Sequence, residues 1–346
     1  MKIALLKEAK KVELVDIDVP EIGSDEALVE VKFCGICGTD VASYKNPEFF
    51  PPGTYLGHEF SGVISKLGSD VQGYKVGDRV TATPMWQCGK CDPCRHGLYN
   101  LCVSMMDGIG CAVGLEFAGA FAKYVRIPQA EKRLYKLPDN VSFEAGALIE
   151  PLATSLHATR LSSFKAGNNV MVFGMGGIGL GVVMFMKQAG AGLIIAVEVN
   201  KSRAAVAKKL GADYVINPME VADVKEEAMK LTDGKGINNS FLCTGAPPAF
   251  TGALNVLGYR GQLTMIGLIT QEIPFTPVGL NMGELNIQGS LIYTDEFDRV
   301  IDMLKKKAIP AEDMVSAKIK LSELSGMLDK LIAPTCTDNK VLVYPD

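Results

Sequence analysis

The feature that most constrains how this chain can fold is a glycine-rich turn between two apolar segments. Residues 170–173 (Val-Met-Val-Phe) have the pattern of a buried strand, and a helix-length apolar segment follows residue 179. In that context the spacing G-x-G-x-x-G is typical of a turn that brings backbone close to a pyrophosphate at a helix N-terminus. The alternative is a glycine-rich contact between helix and strand that binds nothing. The residues predicted to bind a dinucleotide here are Gly174, Gly176, Gly177, Ile178 and Gly179.

Strand and helix patterns alternate after this turn. Such alternation predicts an α/β fold, with a doubly wound parallel sheet and right-handed crossovers. Strands are predicted at 193–199, 214–216, 239–243, 262–267, 290–293 and 340–343. Helices are predicted at 201–210, 221–231, 249–257, 296–306 and 321–332.

The first 143 residues have a different texture, with short strands between frequent turns. Alternation of apolar and polar residues predicts strands at 27–33, 60–65 and 79–83, and hence an antiparallel β domain. A helical segment over 142–161 follows, and Pro151 is expected to kink or divide it.

Composition excludes several classes of protein. Of 346 residues, 48% are hydrophobic and 21% are charged, so the chain is neither disordered nor fibrous, and its length favours two domains. No apolar run is long enough to span a bilayer, and the N-terminus lacks a signal-peptide pattern. A net charge of −4 offers no basic surface for nucleic acid or anionic membranes, so we expect neither as a partner.

The nine cysteines argue against a disulfide framework and indicate a reducing, cytoplasmic location. Four of them follow the spacing C-x2-C-x2-C-x7-C, which lets four thiolates converge on Zn²⁺ at about 2.3 Å. A [4Fe–4S] cluster or free core cysteines are the alternatives. Because four thiolates leave no open position, we predict a structural zinc held by Cys88, Cys91, Cys94 and Cys102.

A second set of possible ligands is spread over more of the chain. Cys37 lies in Cys-Gly-Ile-Cys-Gly-Thr-Asp, His58 and Glu59 follow in Gly-His-Glu, and Glu150 comes much later. A catalytic zinc has three protein ligands and an open position for water or substrate. Taken singly these motifs are weak, since a Cys-x2-Cys is more often redox-active or structural and a Gly-His-Glu can be a simple turn.

Three histidines are present, and they are not equivalent. His96 lies among charged residues and is expected at the surface, whereas His157 lies on an amphipathic helix and is expected in the core. His58 therefore remains as the imidazole ligand.

An acidic residue stands where a dinucleotide-binding unit needs one. Glu198 ends the predicted second strand, nineteen residues after Gly179, and its carboxylate can accept hydrogen bonds from the adenosine ribose. A 2′-phosphate would meet a like charge there, so NAD is favoured over NADP. Arg203 is close enough in sequence to reach a phosphate or to stack on adenine, which keeps the other cofactor open.

Taken together, the three constellations resemble the zinc-dependent medium-chain dehydrogenases over nearly the whole chain. The motifs Leu-Gly-His-Glu at 56–59 and Gly-Ala-Leu-Ile-Glu-Pro-Leu at 146–152 are most similar to the polyol branch, which includes sorbitol and butanediol dehydrogenases. The resemblance implies a GroES-like catalytic domain at 1–155 that holds both zinc sites. It further implies a Rossmann NAD-binding domain at 156–289 and a C-terminal segment at 290–346 that returns to the first domain.

Roles for single residues also come from this resemblance. It implies a catalytic zinc on Cys37 and His58, with Glu59 and Glu150 as direct or exchanging ligands. Thr39 would contact the substrate hydroxyl and Thr154 would lie near the nicotinamide. Three short stretches would line the cofactor, at 243–245, 266–268 and 291–293; they include Thr244, Gly267, Leu268 and Tyr293.

The chain departs from the family pattern at two positions. Many relatives carry a proton-relaying histidine five residues after the zinc cysteine, where this chain has Ala42. Sorbitol dehydrogenases place an arginine just before the tyrosine that matches Tyr293, where this chain has Ile292. Both departures bear on the choice of substrate.

The predicted function is zinc-assisted hydride transfer between NAD and a secondary alcohol, such as a polyol, a vicinal diol or a sugar alcohol. An L-threonine-type or other alcohol dehydrogenase of the same superfamily is an alternative, as is a reductase without catalytic metal. A non-catalytic zinc-binding module is the alternative from another class. Loops at 46–55 and 109–121, with Glu116 and Phe117, are expected to shape the substrate pocket, and the family resemblance suggests a homodimer or homotetramer.

Overall fold

A computed structural model describes residues 1–47, 50–85, 87–106, 119–333 and 335–346. The chain forms two compact units. The first comprises Met1–Pro151, Thr294–Lys307 and Val315–Asp346, and the second comprises Leu152–Tyr293 and Ala308–Met314. The domain boundaries expected after residues 155 and 289 remain predictions.

The first unit is built mainly from strands. Its strands are β1 (Lys2–Glu8), β2 (Lys11–Asp16), β3 (Ala27–Gly35), β4 (Glu59–Leu67), β5 (Arg79–Ala82), β6 (Tyr124–Ile127), β7 (Leu134–Lys136), β14 (Val315–Lys320) and β15 (Lys340–Tyr344). Its helices are α1 (Gly38–Lys45), α2 (Asp92–Arg95), α3 (Val103–Met106), α4 (Ala130–Arg133), α5 (Phe143–Ala147), α12 (Glu296–Lys305) and α13 (Leu324–Ile332).

One sheet organises this first unit, in the order β14-β15-β3-β4-β5-β7, with β6 also paired to β3. The pairs from β15 to β7 are antiparallel, whereas β14 and β15 are parallel. Apolar side chains that alternate along the central strands form the core, among them Val29 and Val31 on β3 and Phe60 and Ile64 on β4. The C-terminal strand β15 therefore pairs with β3, directly beside the segment that leads to Cys37.

The second unit alternates strand and helix. Its elements are α6 (Ile149–Leu161, which begins three residues before the unit), β8 (Asn169–Phe173), α7 (Gly177–Gln188), β9 (Leu193–Val197), α8 (Lys201–Leu210), β10 (Tyr214–Ile216), α9 (Val224–Leu231), β11 (Ile237–Leu242), α10 (Pro247–Asn255), β12 (Leu257–Met265), α11 (Val278–Gly283) and β13 (Asn286–Gly289). The sheet order is β10-β9-β8-β11-β12-β13, and every pair is parallel. This is the predicted doubly wound sheet, in which the order reverses next to β8.

Two local predictions were wrong. The strand expected at 290–293 lies four residues earlier, at β13, because β13 pairs with the end of β12, and Ile292 adopts a positive φ of 51° that a strand does not allow. The helical segment at 142–161 is divided at Leu148 rather than at Pro151. Pro151 lies in the first turn of α6, where a missing N–H costs no helical hydrogen bond.

Within the described ranges, none of the helices combines the length and the apolar character that crossing a membrane would require.

Candidate metal and nucleotide sites

The structure brings Cys37, His58 and Glu59 together in the first unit. One ligand atom from each side chain, a sulfur, an imidazole nitrogen and a carboxylate oxygen, lies within 4.8 Å of the other two. Cys37 is half-buried, and the other two residues are buried. This mixed donor set, converging from two strand ends, suits a zinc ion that keeps a position open.

Local structure explains why these side chains converge. Strand β3 ends at Gly35, and Cys37 is the N-cap of helix α1, where its backbone N–H donates to Oδ2 of Asp40 at 2.9 Å. Strand β4 begins at Glu59 and pairs with β3 so that Glu59 lies opposite Gly35. The end of β3 and the start of β4 therefore lie side by side, and the residues next to them meet at that end of the two strands.

Asp40 is a member of this cluster that the sequence did not reveal. It is fully buried, and its Oδ1 lies 3.9 Å from Nδ1 of His58 without a hydrogen-bond partner in the part of the chain that is described. Burial raises the pKa of Asp40, and the neighbouring His58 opposes that shift. At 3.9 Å the carboxylate makes no hydrogen bond to the ring, but its negative charge favours a proton on Nδ1, which leaves the other ring nitrogen for a metal.

The electrostatics of the cluster favour a cation. Burial alone lowers the pKa of His58, but the charges of Cys37, Asp40 and Glu150 outweigh it and raise this pKa well above its ordinary value. The same negative charges that hold a proton on the imidazole would attract Zn²⁺ in its place. The residues present therefore fit a zinc ion.

Glu150 and Thr39 flank this cluster in different ways. Glu150 is buried and near enough for its charge to act on His58, although it lies outside the set of three converging ligand atoms. The hydroxyl oxygen of Thr39, in the first turn of α1, is buried and has no hydrogen-bond partner among the described residues. An unpaired buried hydroxyl is costly, so it is suited to meet a polar group of a ligand.

A buried lysine from the C-terminal strand joins the cluster. The Nζ of Lys340, the first residue of β15, donates to both carboxylate oxygens of Glu59 at 2.9 and 2.6 Å. No sequence signal identifies this lysine, because 281 positions separate it from Glu59.

The four cysteines of the second metal motif also converge, and all four Sγ atoms lie within 4.8 Å of one another. Cys91 is the N-cap of the short helix α2, Cys94 lies within it, and Cys102 follows the 3₁₀ turn Tyr99–Leu101. The Sγ atoms of Cys91 and Cys102 are 4.0 Å apart, close to the ~3.8 Å edge of a tetrahedron with Zn–S bonds of about 2.3 Å. Backbone N–H donors from Lys90 and Cys91 lower the pKa of Cys88 to about 6, which favours the thiolate that binds metal.

The glycine turn has the form expected of a nucleotide cradle. Gly174 follows β8 with a positive φ of 88°, and Gly176 is the N-cap of α7. A side chain at Gly179 would overlap the carbonyl oxygen of Gly174, whereas one at Gly176 would enter open space. The backbone at the start of α7 is therefore accessible to a phosphate group.

Glu198 lies directly after β9 and faces this turn. Its Oε2 accepts from the backbone N–H of Met175 at 2.8 Å, and its Oε1 accepts from the N–H of Asn200 at 2.9 Å. Two N–H donors hold the carboxylate in place, and its remaining lone pairs can accept from a ribose. Arg203 is half-buried in the first turn of α8, where its backbone N–H donates to the N-cap Asn200 at 3.2 Å.

The remaining residues expected near the cofactor are in varied environments. Thr154 on α6, Ile178 on α7 and Thr244 after β11 are half-buried, and a side chain at Gly267 would overlap the backbone of Thr244. Leu268 is 54% exposed, while Tyr293 is buried at 1%. Their cofactor contacts remain predictions.

His157 is buried and His96 is exposed, as their positions in the sequence suggested. Glu116 and Phe117 lie outside the described residues.

Comparison with known proteins connects both units to characterised families. Residues 23–139 match the family "Alcohol dehydrogenase GroES-like domain", and residues 177–306 match the family "Zinc-binding dehydrogenase". The chain is 32% identical to sorbitol dehydrogenase of Bacillus subtilis, covering all of this chain and 98% of that protein. It is 34% identical to (R,R)-butanediol dehydrogenase of the same organism, with both chains covered completely.

The fold of this chain is also similar to that of a solved structure over nearly its whole length. A zinc-binding dehydrogenase from Sinorhizobium meliloti 1021, crystallised with NADP, superposes with a TM-score of 0.91 at 30% identity, with 99% of each chain covered. The GroES-like character predicted for the first unit is therefore confirmed.

Proposed function

The chain belongs to the zinc-dependent medium-chain dehydrogenases, which transfer a hydride between a secondary alcohol and NAD(P), and from this premise we propose that its substrate is a vicinal diol or a polyol. The observation that carries the proposal is the mixed cluster of Cys37, His58 and Glu59, with the charge of Glu150 beside it. Carboxylate ligands make the site richer in oxygen than one with two cysteines and a histidine, and such a site accommodates further oxygen donors. A vicinal diol offers two.

Each residue has a defined part in this function. Cys37, His58, Glu59 and Glu150 would hold a zinc ion, which when bound acts as a Lewis acid on the substrate oxygen. The hydroxyl of Thr39, which has no hydrogen-bond partner among the described residues, accepts a hydrogen bond from the substrate hydroxyl and relays its proton, releasing its own hydroxyl proton as it takes the substrate's. Since Ala42 supplies no imidazole, the proton then leaves through Thr39 or a carboxylate. Glu198 and the backbone at Gly176 orient the ribose and the pyrophosphate of the cofactor.

Vicinal diols are expected to be oxidised with at least about tenfold higher kcat/KM than matched mono-alcohols, equivalent to roughly 1.4 kcal/mol. The measurement is a paired kinetic series at one pH with 2-butanol, 2,3-butanediol and a polyol of four to six carbons, followed by NADH absorbance. Ethanol serves as the primary-alcohol control and should be poor. Equal efficiency for 2-butanol and 2,3-butanediol would contradict the diol proposal and leave the zinc–nicotinamide chemistry intact.

We further propose that the cofactor is NAD rather than NADP. The support is the buried carboxylate of Glu198, which two backbone N–H groups hold in place where an adenosine ribose would lie. A preference for NAD⁺ of at least about tenfold is expected, because a 2′-phosphate would meet this charge. Glu198→Ala should reduce that ratio, and Arg203→Ala is the matched test of whether the neighbouring guanidinium assists NADP⁺. An unmodified enzyme that used both cofactors equally would overturn the proposal.

The proposed assembly is a homodimer or homotetramer formed through β13. This strand is at the edge of its sheet, and all four of its residues are exposed, Ile287 at 38%. The nearby apolar side chains of Val278, Met282 and Tyr259 are exposed at 62%, 77% and 88%, an arrangement that a second copy would cover. Light scattering should show a multiple of the 37.1 kDa chain mass, and Ile287→Lys should shift the protein to the monomer. A monomeric unmodified protein would contradict the proposal.

The proposed location is the cytoplasm. Its support is that the eight cysteines in the described part of the chain form no disulfide, and that five of them belong to the two clusters of metal-ligating side chains. Free thiols and thiolate-bound zinc persist in a reducing compartment.

A further inference from the structure

Lys340 places a positive charge beside a set of groups suited to bind another positive charge. Its Nζ donates to both carboxylate oxygens of Glu59 and, at 3.1 Å, to the backbone carbonyl of Ile36, the residue before Cys37. The Lys340 side chain is 5% exposed and that of Glu59 is 1% exposed. This ion pair is therefore shielded from water; it includes one residue of the ligand cluster, Glu59, and contacts the residue next to another, Cys37.

The position of Lys340 is determined by strand pairing rather than by the ion pair alone. The backbone N–H of Ile36 donates to the carbonyl of Val341 at 3.0 Å, and β15 continues along β3. On the other side, a side chain at Gly35 would overlap the Glu59 carboxylate. Three paired strands, β15, β3 and β4, with Gly35 at the end of β3, thus provide the space in which the ammonium and the carboxylate face each other.

The charges in this space oppose one another. The thiolate of Cys37 and the carboxylates of Glu59, Asp40 and Glu150 attract a divalent cation, while the ammonium of Lys340 repels it. A carboxylate that shares both oxygens with an ammonium is also a weaker electron donor to a metal than a free one. Both effects of Lys340, the repulsion of the cation and the weaker donation by Glu59, lower the affinity of the site for a metal ion.

We propose that Lys340 is a positioning residue that weakens Glu59 as a ligand of the catalytic zinc and lowers the metal affinity of the site, so that Glu59 remains exchangeable. The inference rests on the proposed assignment of Cys37, His58 and Glu59 as zinc ligands. Its consequence is a metal held mainly by the other ligands, with a coordination position that a substrate oxygen can take.

The primary test measures metal retention in the holoenzyme after Lys340→Met, with Lys340→Arg as the variant that conserves charge. We expect Lys340→Met to retain its catalytic zinc at least about tenfold more tightly against a chelator, because a nearby like charge has been removed. The cobalt-substituted enzyme should show altered d–d bands as Glu59 becomes a full ligand. Lys340→Arg should resemble the unmodified enzyme in both measurements. Unchanged retention or weaker retention in folded Lys340→Met would overturn the proposal, since a merely structural lysine would stabilise the site.

A second comparison avoids leaving a carboxylate buried without a partner. In Glu59→Gln/Lys340→Met both side chains are neutral, and this variant should retain zinc more tightly than Glu59→Gln alone, again by at least about tenfold. Equal retention by these two variants would also overturn the proposal. Failure of the underlying zinc assignment is distinguishable, because the unmodified enzyme would then carry only the zinc of the four-cysteine site.

Discussion

Replacing Cys37 by serine or His58 by alanine is expected to lower kcat/KM by at least about 10³-fold while the protein remains folded. Both side chains supply converging ligand atoms, and loss of one removes a Lewis acid whose charge stabilisation amounts to several kcal/mol. Zinc content should fall from two ions to one per chain. The measurement combines steady-state kinetics, metal analysis and a fluorescence titration with NADH, which should still bind because the glycine turn lies in the second unit.

Two control variants separate metal chemistry from folding and from cofactor binding. Cys34→Ser makes the same substitution three residues earlier, at a buried thiol outside the ligand set, and should keep both zinc ions and most activity. Gly176→Val should show the reverse pattern, because its side chain would enter the open space at the start of α7. It should keep both zinc ions and lose NADH binding. Full activity in Cys37→Ser would refute the catalytic zinc assignment.

Replacing Cys94 by serine is expected to lower the melting temperature by roughly 10 °C or more, or to make the protein insoluble. Structural zinc binding contributes folding free energy directly, and in small zinc domains its apparent value is about 10–16 kcal/mol. The four thiolates are carried by a one-turn helix, a 3₁₀ turn and the residues that flank them. Calorimetry and metal analysis measure the effect, with a loss of one zinc per chain.

The matched control for this variant is Cys336→Ser. Cys336 is also buried, but it lies outside both clusters of metal-ligating side chains in the described part of the chain. It should melt within a few degrees of the unmodified protein and keep two zinc ions. If Cys94→Ser kept both its zinc content and its melting temperature, the structural assignment would be wrong.

Substitutions at the two zinc sites should therefore have different effects. Loss of the catalytic zinc should leave the fold intact, because the strands that carry its site, β3, β4 and β15, are held by backbone hydrogen bonds. Within the described ranges, the segment that carries the four cysteines takes part in no strand pairing. The kinetic defect belongs to one site and the folding defect to the other.

For two motifs the sequence determined the geometry as well as the residue types, because each is formed by a contiguous stretch of chain. The strand, glycine turn and helix at 169–188 are contiguous, and the four cysteines span only fifteen residues, so short-range chain geometry brings each set together. The wrong predictions had no such local determinant. The position of β13 depends on its pairing with β12. The helical segment is divided at Leu148, which is the C-cap of α5 and directly precedes α6.

The sequence by itself determined the alternation of strand and helix, the glycine turn after β8 and the two sets of side chains that are able to bind a metal, because these are matters of periodicity, spacing and residue type. Only the tertiary structure decided what surrounds the ligands. Asp40 behind His58 and Lys340 on Glu59 are placed by the pairing of β3 with β4 and with β15. Nothing in the sequence indicates that the carboxylate of Glu59 and the ammonium of Lys340 form an ion pair, because 281 positions separate them. Burial in a shared space makes their interaction strong, and the sheet register creates that space.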